Sequence, residues 1–412
     1  MNRTPSTQST KRWIASWAAA GLSATILLLA FQEIPAAAQP RAAHVPASRT
    51  VWHWGTFFGG TSTFTPEDMT TSPAPVSLPG PVAEVATSNS SQYALLTNGS
   101  VYAWGLGNAG QLGDGATANS FTKPVRVRFP AGVKIASLPV NVMPFDTGLA
   151  VDTKGQVWGW GDNQGGELCL GNRQQHLTPV RLPFSHVTAV AGAFDHALYD
   201  ASGQVWACGL NSLGELGDGS TKSSSVRVRV KGLGPAAHVV FLVAAFANSG
   251  ALLADGKYRD WGTNGKGQLG IGTQNKPSDV PVTVPLPAKV RQVSQGGSVP
   301  GNGQTLALLT NGRLYAWGDN KNGQLGDGTT ATQSSPKLIT PPSGVTYRTM
   351  ATSGGTSYGI STTGAVYAWG GGGEGQIGNG TTTGSLTPVK VGSGATGISA
   401  TADDVLVAVT GS

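Results

Sequence analysis

An apolar-aromatic run ending in glycine recurs seven times, at residues 51–55, 101–105, 157–161, 205–209, 258–262, 314–318 and 366–370. Six of the seven place Trp immediately before that glycine, and the glycines lie 50, 56, 48, 53, 56 and 52 residues apart. This period is too long for the common helical repeats and suits a unit of four short strands. In six repeats a second glycine, five residues on, opens a Gly-[Gln/Glu]-[Leu/Ile] step: Gly110-Gln111-Leu112, Gly166-Glu167-Leu168, Gly214-Glu215-Leu216, Gly267-Gln268-Leu269, Gly323-Gln324-Leu325 and Gly375-Gln376-Ile377. Charged residues make up 12% of the chain, about half the usual share, and glycine supplies 60 of 412 positions. Turns rather than solvated helices therefore dominate, and the expected class is all-β.

Each aromatic run after the first is preceded by a second strand signal. Tyr93-Ala94-Leu95-Leu96 leads through Asn98-Gly99 into Val101-Tyr102-Ala103-Trp104, and Asn311-Gly312 repeats the pattern. Asn-Gly predicts a type I′ hairpin because both residues tolerate positive φ. Lys154-Gly155, Ser202-Gly203 and Thr363-Gly364 stand at equivalent places. Outer strands are expected at 125–129 and 226–230, where apolar and basic residues alternate. The first run, at Val51, has no strand before it to pair with, whereas the last strand signal, at 405–409, has no aromatic run after it. Pairing the two ends closes a ring and leaves no open edge. The expected fold is thus a seven-bladed β-propeller of four-stranded blades over residues 50–412, closed by pairing of its N- and C-terminal strands.

The hairpin, the aromatic-Trp-Gly run and the Gly-x-x-x-x-Gly-Gln-Leu-Gly step together resemble the regulator of chromosome condensation repeat, over nearly all of residues 50–412. The resemblance implies the propeller. The family's founding member acts on a small GTPase as a nucleotide exchange factor, and other members bind proteins. Fold does not select among such roles, and an exported chain would not meet a nuclear GTPase. A secreted propeller inhibitor of β-lactamases is also similar, with shorter repeats. Two departures stand out. The first repeat continues after Gly60 as Thr61-Ser62-Thr63 within a stretch rich in Thr, Ser and Pro, and the fourth run has Cys208 in place of Trp.

The amino terminus carries Arg3, Lys11 and Arg12, an apolar run over 13–31, and Pro35-Ala36-Ala37-Ala38. Residues 1–38 read as a signal peptide cut after Ala38 or as an uncleaved membrane anchor, with 39–49 as a linker. Either reading makes the protein extracytoplasmic, secreted or held at the cell surface. The formal charge of +6 falls to +4 without the leader, whose three cations face only Glu33. That balance does not imply nucleic-acid binding. Cys169 and Cys208 match no zinc spacing. One bridge between adjacent repeats and two buried thiols both remain open.

The six histidines, His44, His53, His176, His186, His196 and His238, form no metal-binding pair, and no nucleophile elbow is visible. His196 precedes a core strand and reads as structural. The acidic loops around Asp114, Asp218 and Asp327 lack the terminal glutamate of a calcium loop and read as turns. Trp104, Trp160, Trp317 and Trp369 recur too regularly to be ligand-stacking residues and belong between blades. Arg126, Arg128, Arg227, Arg229 and Lys231 read as edge protection on the outer strands.

These features predict no catalytic residue, no metal and no cofactor. The expected function is an exported, monomeric, non-enzymatic scaffold holding an extracellular or cell-surface protein through loops on one face. Phe57, Phe58 and Phe64 are the candidate contacts. Binding of extracellular carbohydrate is the alternative, and a propeller hydrolase or lyase a more distant one.

Overall fold

The computed structural model describes residues 50–56, 69–88, 90–139, 146–194, 196–297, 302–401 and 404–409. The chain divides into two units, Met1–Pro35 and Ala36–Ser412. The first, with the expected leader and linker, lies outside the described residues.

The described residues form a β-propeller of four-stranded antiparallel blades. Six blades are built from four consecutive strands each and occupy residues 82–126, 135–181, 187–229, 239–283, 290–339 and 347–392; they are numbered 1 to 6 here. A further four-stranded sheet, the closing blade, is composite. Its two inner strands, Ala395–Thr401 and Asp404–Val409, come from the C-terminal end, and its two outer strands, Thr50–Thr56 and Met69–Val76, from the N-terminal end. The join is antiparallel, in the register Thr50↔Val409 to Gly55↔Asp404. Six contiguous blades therefore account for six of the seven aromatic runs, and the run at Val51 supplies only the outer half of a sheet completed by the other end.

The hairpins form where expected but with a different turn. Gly99 has φ 83°, while Asn98 is absent from the positive-φ residues. The Gly99 amide donates to the Leu96 carbonyl and the Leu96 amide to the Ser100 carbonyl. This is a type I turn followed by a left-handed glycine and a bulge, not type I′. Asn98 stays right-handed because its Oδ1 accepts the Ser100 amide at 2.9 Å. Only Ser202 and Gly203, with φ 56° and 79°, show two successive positive values at such a turn. The outer strands run Ser120–Arg126 and Ser224–Arg229, earlier than the alternation suggests.

The innermost strands bear a bulge at their second residue, as between Val290 and Gln292 and between Tyr347 and Thr349. Two of these bulged residues tie neighbouring blades. Arg291 donates to the carbonyls of Tyr347 and Arg348, and Arg348 to those of Ala395 and Thr396. The apolar core lies between blades rather than within them. Seven buried clusters are found, each shared by two adjacent sheets; one joins Leu198 and Leu216 to Leu242 and Trp261, across blades 3 and 4. Trp104, Trp160, Trp317 and Trp369 are buried in these clusters, as their recurrence predicts.

Candidate binding face

Antiparallel order places the connection from first to second strand and that from third to outer strand at one end of every blade. That end is the loop face; the tight hairpins occupy the other.

The Gly-[Gln/Glu]-[Leu/Ile] loops are rigid because their polar groups are satisfied internally. Asn163, Asn211, Asn264 and Asn320 each lie two residues after the glycine of the aromatic run. Their Oδ1 atoms accept the amides of Leu168, Leu216, Leu269 and Leu325 at 2.9–3.1 Å. Their Nδ2 atoms donate to the far limb of the same loop, at Asn172, Ser220, Thr273 and Thr329. These asparagines were not singled out from the sequence, although their fixed offset from the glycine is a usable signal. The acidic loop residues act as turn makers: Asp218 Oδ1 accepts the Ser220 amide at 2.9 Å and Asp327 Oδ1 the Thr329 amide at 3.0 Å. Lys337 pairs with Asp327 at 2.6 Å.

Each loop is clasped by the next blade. Trp160, Trp261, Trp317, Trp369 and Trp54 donate Nε1–H to the carbonyls of Gln111, Glu215, Gln268, Gln324 and Gln376 at 2.7–3.0 Å. The indole lies against a left-handed glycine two residues further on. At Gly113, φ +64°, a Cβ would stand 2.8 Å from the Trp160 ring. Glycine is required there by both backbone conformation and space.

Between blades 2 and 3 the clasp is rebuilt. Cys169 occupies the glycine position and keeps its left-handed backbone at φ 58°. Cys208 replaces the tryptophan, and the two form a disulfide with Cα atoms 5.5 Å apart. A third replacement accompanies them. Tyr199 stands opposite Trp206 at a register position that holds Ala94, Ala150, Ala251, Ala307 and Gly359 in the other contiguous blades. Its hydroxyl takes the carbonyl that tryptophan takes elsewhere, Glu167 O, at 2.8 Å, and its ring stacks on Phe184 at 4.3 Å. The bridge left open by the sequence thus forms.

At the ends of the innermost strands Val187–Ala193 and Val239–Ala245, Phe194 stacks on Phe246 with centroids 3.9 Å apart. Both residues are half-buried. Phe194 has φ 46°, a conformation uncommon for a bulky residue. A Cβ on Gly297, from the next blade, would lie 3.6 Å from Phe246 Cβ, so three successive blades meet here. The sequence-predicted contacts Phe57, Phe58 and Phe64 lie outside the described residues.

His196 is buried, and its Nε2 lies 2.9 Å from Ser249 Oγ. The serine hydroxyl donates to the Glu215 carbonyl at 2.8 Å. Its lone pair is thereby left to the imidazole N–H, and it has no proton to give. Burial lowers the His196 pKa to about 4. The pair is structural, as the sequence suggests. Asp260 is buried beside Tyr258 and Gln295, which donate to its Oδ2 at 3.2 and 2.9 Å, and desolvation raises its pKa well above the usual range. Asp146, bonded by Ser90, is raised by burial and then by nearby Asp162. Among the described residues no cluster of three His, Cys, Asp or Glu side chains is placed to hold a metal.

The fold and its clasped loops define a propeller of repeated, laterally locked blades. The model of the regulator of chromosome condensation (RCC1) repeat matches residues 98–138, 154–199, 260–299, 311–359 and 363–402, more than half of the chain, and a second model of that repeat matches 290–324. The chain belongs to the RCC1 repeat family. It is 30% identical over 295 residues to the ultraviolet-B receptor UVR8 of Arabidopsis thaliana, a match covering 70% of this chain and 64% of that receptor, just under two thirds of its length. In fold it is similar to Prp20p from Saccharomyces cerevisiae, with TM-score 0.77 and 20% identity over 92% of this chain and 96% of that one. Human WBSCR16 matches with TM-score 0.74 and 20% identity over 88% and 98%.

Proposed function

We propose that the chain is an exported, monomeric, non-enzymatic scaffold that holds an extracellular or cell-surface protein on its loop face, with Phe194 and Phe246 as the anchor. The observation that carries this reading is the left-handed backbone of Phe194 at φ 46°, which sets its ring on Phe246 while both stay only half-buried. A backbone cost of this kind persists where the surroundings impose it, most often at a working surface. Stacked aromatics with little rotamer freedom suit a hot spot. Phe57, Phe58 and Phe64, in the sequence between Thr50–Thr56 and Met69–Val76, stay in the proposal as further contacts on the strength of the sequence alone.

Protein binding by a related propeller supports the reading: Prp20p binds Gsp1p and histones. Export draws on the basic-apolar-small pattern of residues 1–38, with membrane attachment only if that segment stays uncleaved. The Cys169–Cys208 disulfide adds support, because such bonds persist in oxidising compartments. Carbohydrate stacking gains less, for the recurring tryptophans are buried. Catalysis gains less too, the one serine-histidine pair described above being sealed in the interior.

The test is affinity capture from culture fluid and cell-surface extract with the mature chain and with F194A/F246A. A partner held by the parent and lost by the variant, at equal folding, is the expected result. Equal capture by both would reject the anchor, and N-terminal sequencing of exported protein reads the cleavage at Ala38.

A further inference from the structure

The interface with the rebuilt clasp also carries a groove of about 730 Å3 on the outer flank between blades 2 and 3. One wall is the end of blade 2, with Leu170, Arg181 and Phe184; the other is blade 3, with Gln204, Trp206 and Arg227. Two guanidinium groups line it and no carboxylate does. Arg181 is exposed, and its side chain makes no hydrogen bond or ion pair among the described residues. Arg227 reaches across the groove, its Nη1 donating to the Pro183 carbonyl at 3.2 Å. The Cys169–Cys208 bond joins the two walls covalently, so their separation is set before any ligand arrives, which lowers the ordering cost of binding.

We propose that this groove binds an extended acidic peptide segment that also carries an apolar side chain. The paired arginines recognise its carboxylate, in the bidentate manner guanidinium allows. Half-buried Leu170 and exposed Pro183, over a floor of buried Leu182 and Phe184, receive the apolar residue. The groove is flanked by two outermost strands, His176–Arg181 and Ser224–Arg229, each paired on one side only within its sheet. Their open edges offer backbone groups to a peptide in strand conformation. An anionic polysaccharide shares the charge but would need an open aromatic face. Arg227 and Arg229 already stand over the Trp206 ring, 5.0 and 5.3 Å from its centroid. The groove adds a second site to the scaffold and does not depend on Phe194 and Phe246.

The experiment pans a random peptide display library on the full-length mature protein and titrates a fluorescein-labelled winner by anisotropy. Selected peptides should combine Asp or Glu with Leu or Phe, and R181E/R227E should weaken binding at least tenfold. R126E/R128E, the same charge reversal on blade 1, should leave it unchanged. The triple variant C169G/C208W/Y199A, which restores the clasp used at other interfaces, should also lose the peptide if it folds; if it does not fold, R181E/R227E alone decides. Neutral or basic winners, equal binding to R181E/R227E, or saturable binding of polygalacturonate with no selected peptide would overturn the proposal. Partner capture through Phe194 and Phe246 should survive in R181E/R227E, so the two sites fail independently.

Discussion

Cys169 and Cys208 meet where five other blade interfaces among the described residues bring a glycine under a tryptophan, and Tyr199 supplies the hydroxyl that takes over the lost indole hydrogen bond. The three residues form one coordinated replacement. A small residue pair linked covalently, plus one aromatic ring brought from the neighbouring strand, does the work of one large indole.

Removing the disulfide should lower stability. The bond closes a sequence separation of 39 residues, for which loop entropy in the unfolded chain corresponds to about 3–4 kcal/mol. C169A/C208A should therefore unfold at a markedly lower denaturant midpoint, with a steeper slope as the unfolded chain expands. A midpoint within error of the parent would show that Tyr199 and Phe184 hold the interface alone.

The indole clasp can be tested at an interface that keeps it. Trp317→Phe keeps an aromatic ring but removes part of the buried indole together with its 2.7 Å bond to Gln268 O. Removing one buried hydrogen bond costs about 0.5–1.5 kcal/mol, and the lost ring volume adds to it. Equilibrium denaturation should show the combined loss, and an unchanged midpoint would mean that neither the indole bond nor its bulk holds the interface.

His196 makes stability depend on pH. Its folded pKa, about 4, is below the ordinary value of 6.5 because burial disfavours the imidazolium. The unfolded chain therefore binds a proton that the folded chain excludes between these values. Stability from this group is complete above pH 6.5 and falls as pH drops toward 4, at no more than about 1.4 kcal/mol per pH unit. His196→Asn places there the residue that blade 4 uses, Asn248. The variant should lose stability less steeply than the parent between pH 6.5 and 4 and run parallel to it above. Parallel curves throughout would mean that the imidazole titrates normally in the folded protein.

Much of this architecture was legible in the residues. The aromatic-Gly runs located the third strand of each blade, and the unmatched ends at Val51 and 405–409 announced their pairing. The hairpin positions followed from Asn98-Gly99 and its equivalents, but the turn type did not, because the Asn98 side chain bonds locally to Ser100 and removes the need for a second positive φ. Cys208 was visible as a missing tryptophan. Its match with Cys169 could be read by setting the Gly-Glu-Leu-Cys step beside Gly-Gln-Leu-Gly. Tyr199 could not, since its significance depends on a strand register that only the fold reveals. The Phe194 and Phe246 stack was equally hidden, for it joins residues 52 apart through the ring's curvature and a left-handed backbone that no local pattern marks.

The account rests most heavily on the two chain ends completing one blade, since a single locked ring is what makes the loops of all blades one surface. Amide hydrogen exchange on Val51–Trp54, with and without residues 404–412, tests it directly. In the full-length protein these amides should be protected as well as those of Val101–Gly105, and the truncation should accelerate exchange in all blades together. Fast exchange at Val51–Trp54 in the full-length protein, or loss of protection confined to that strand after truncation, would contradict closure.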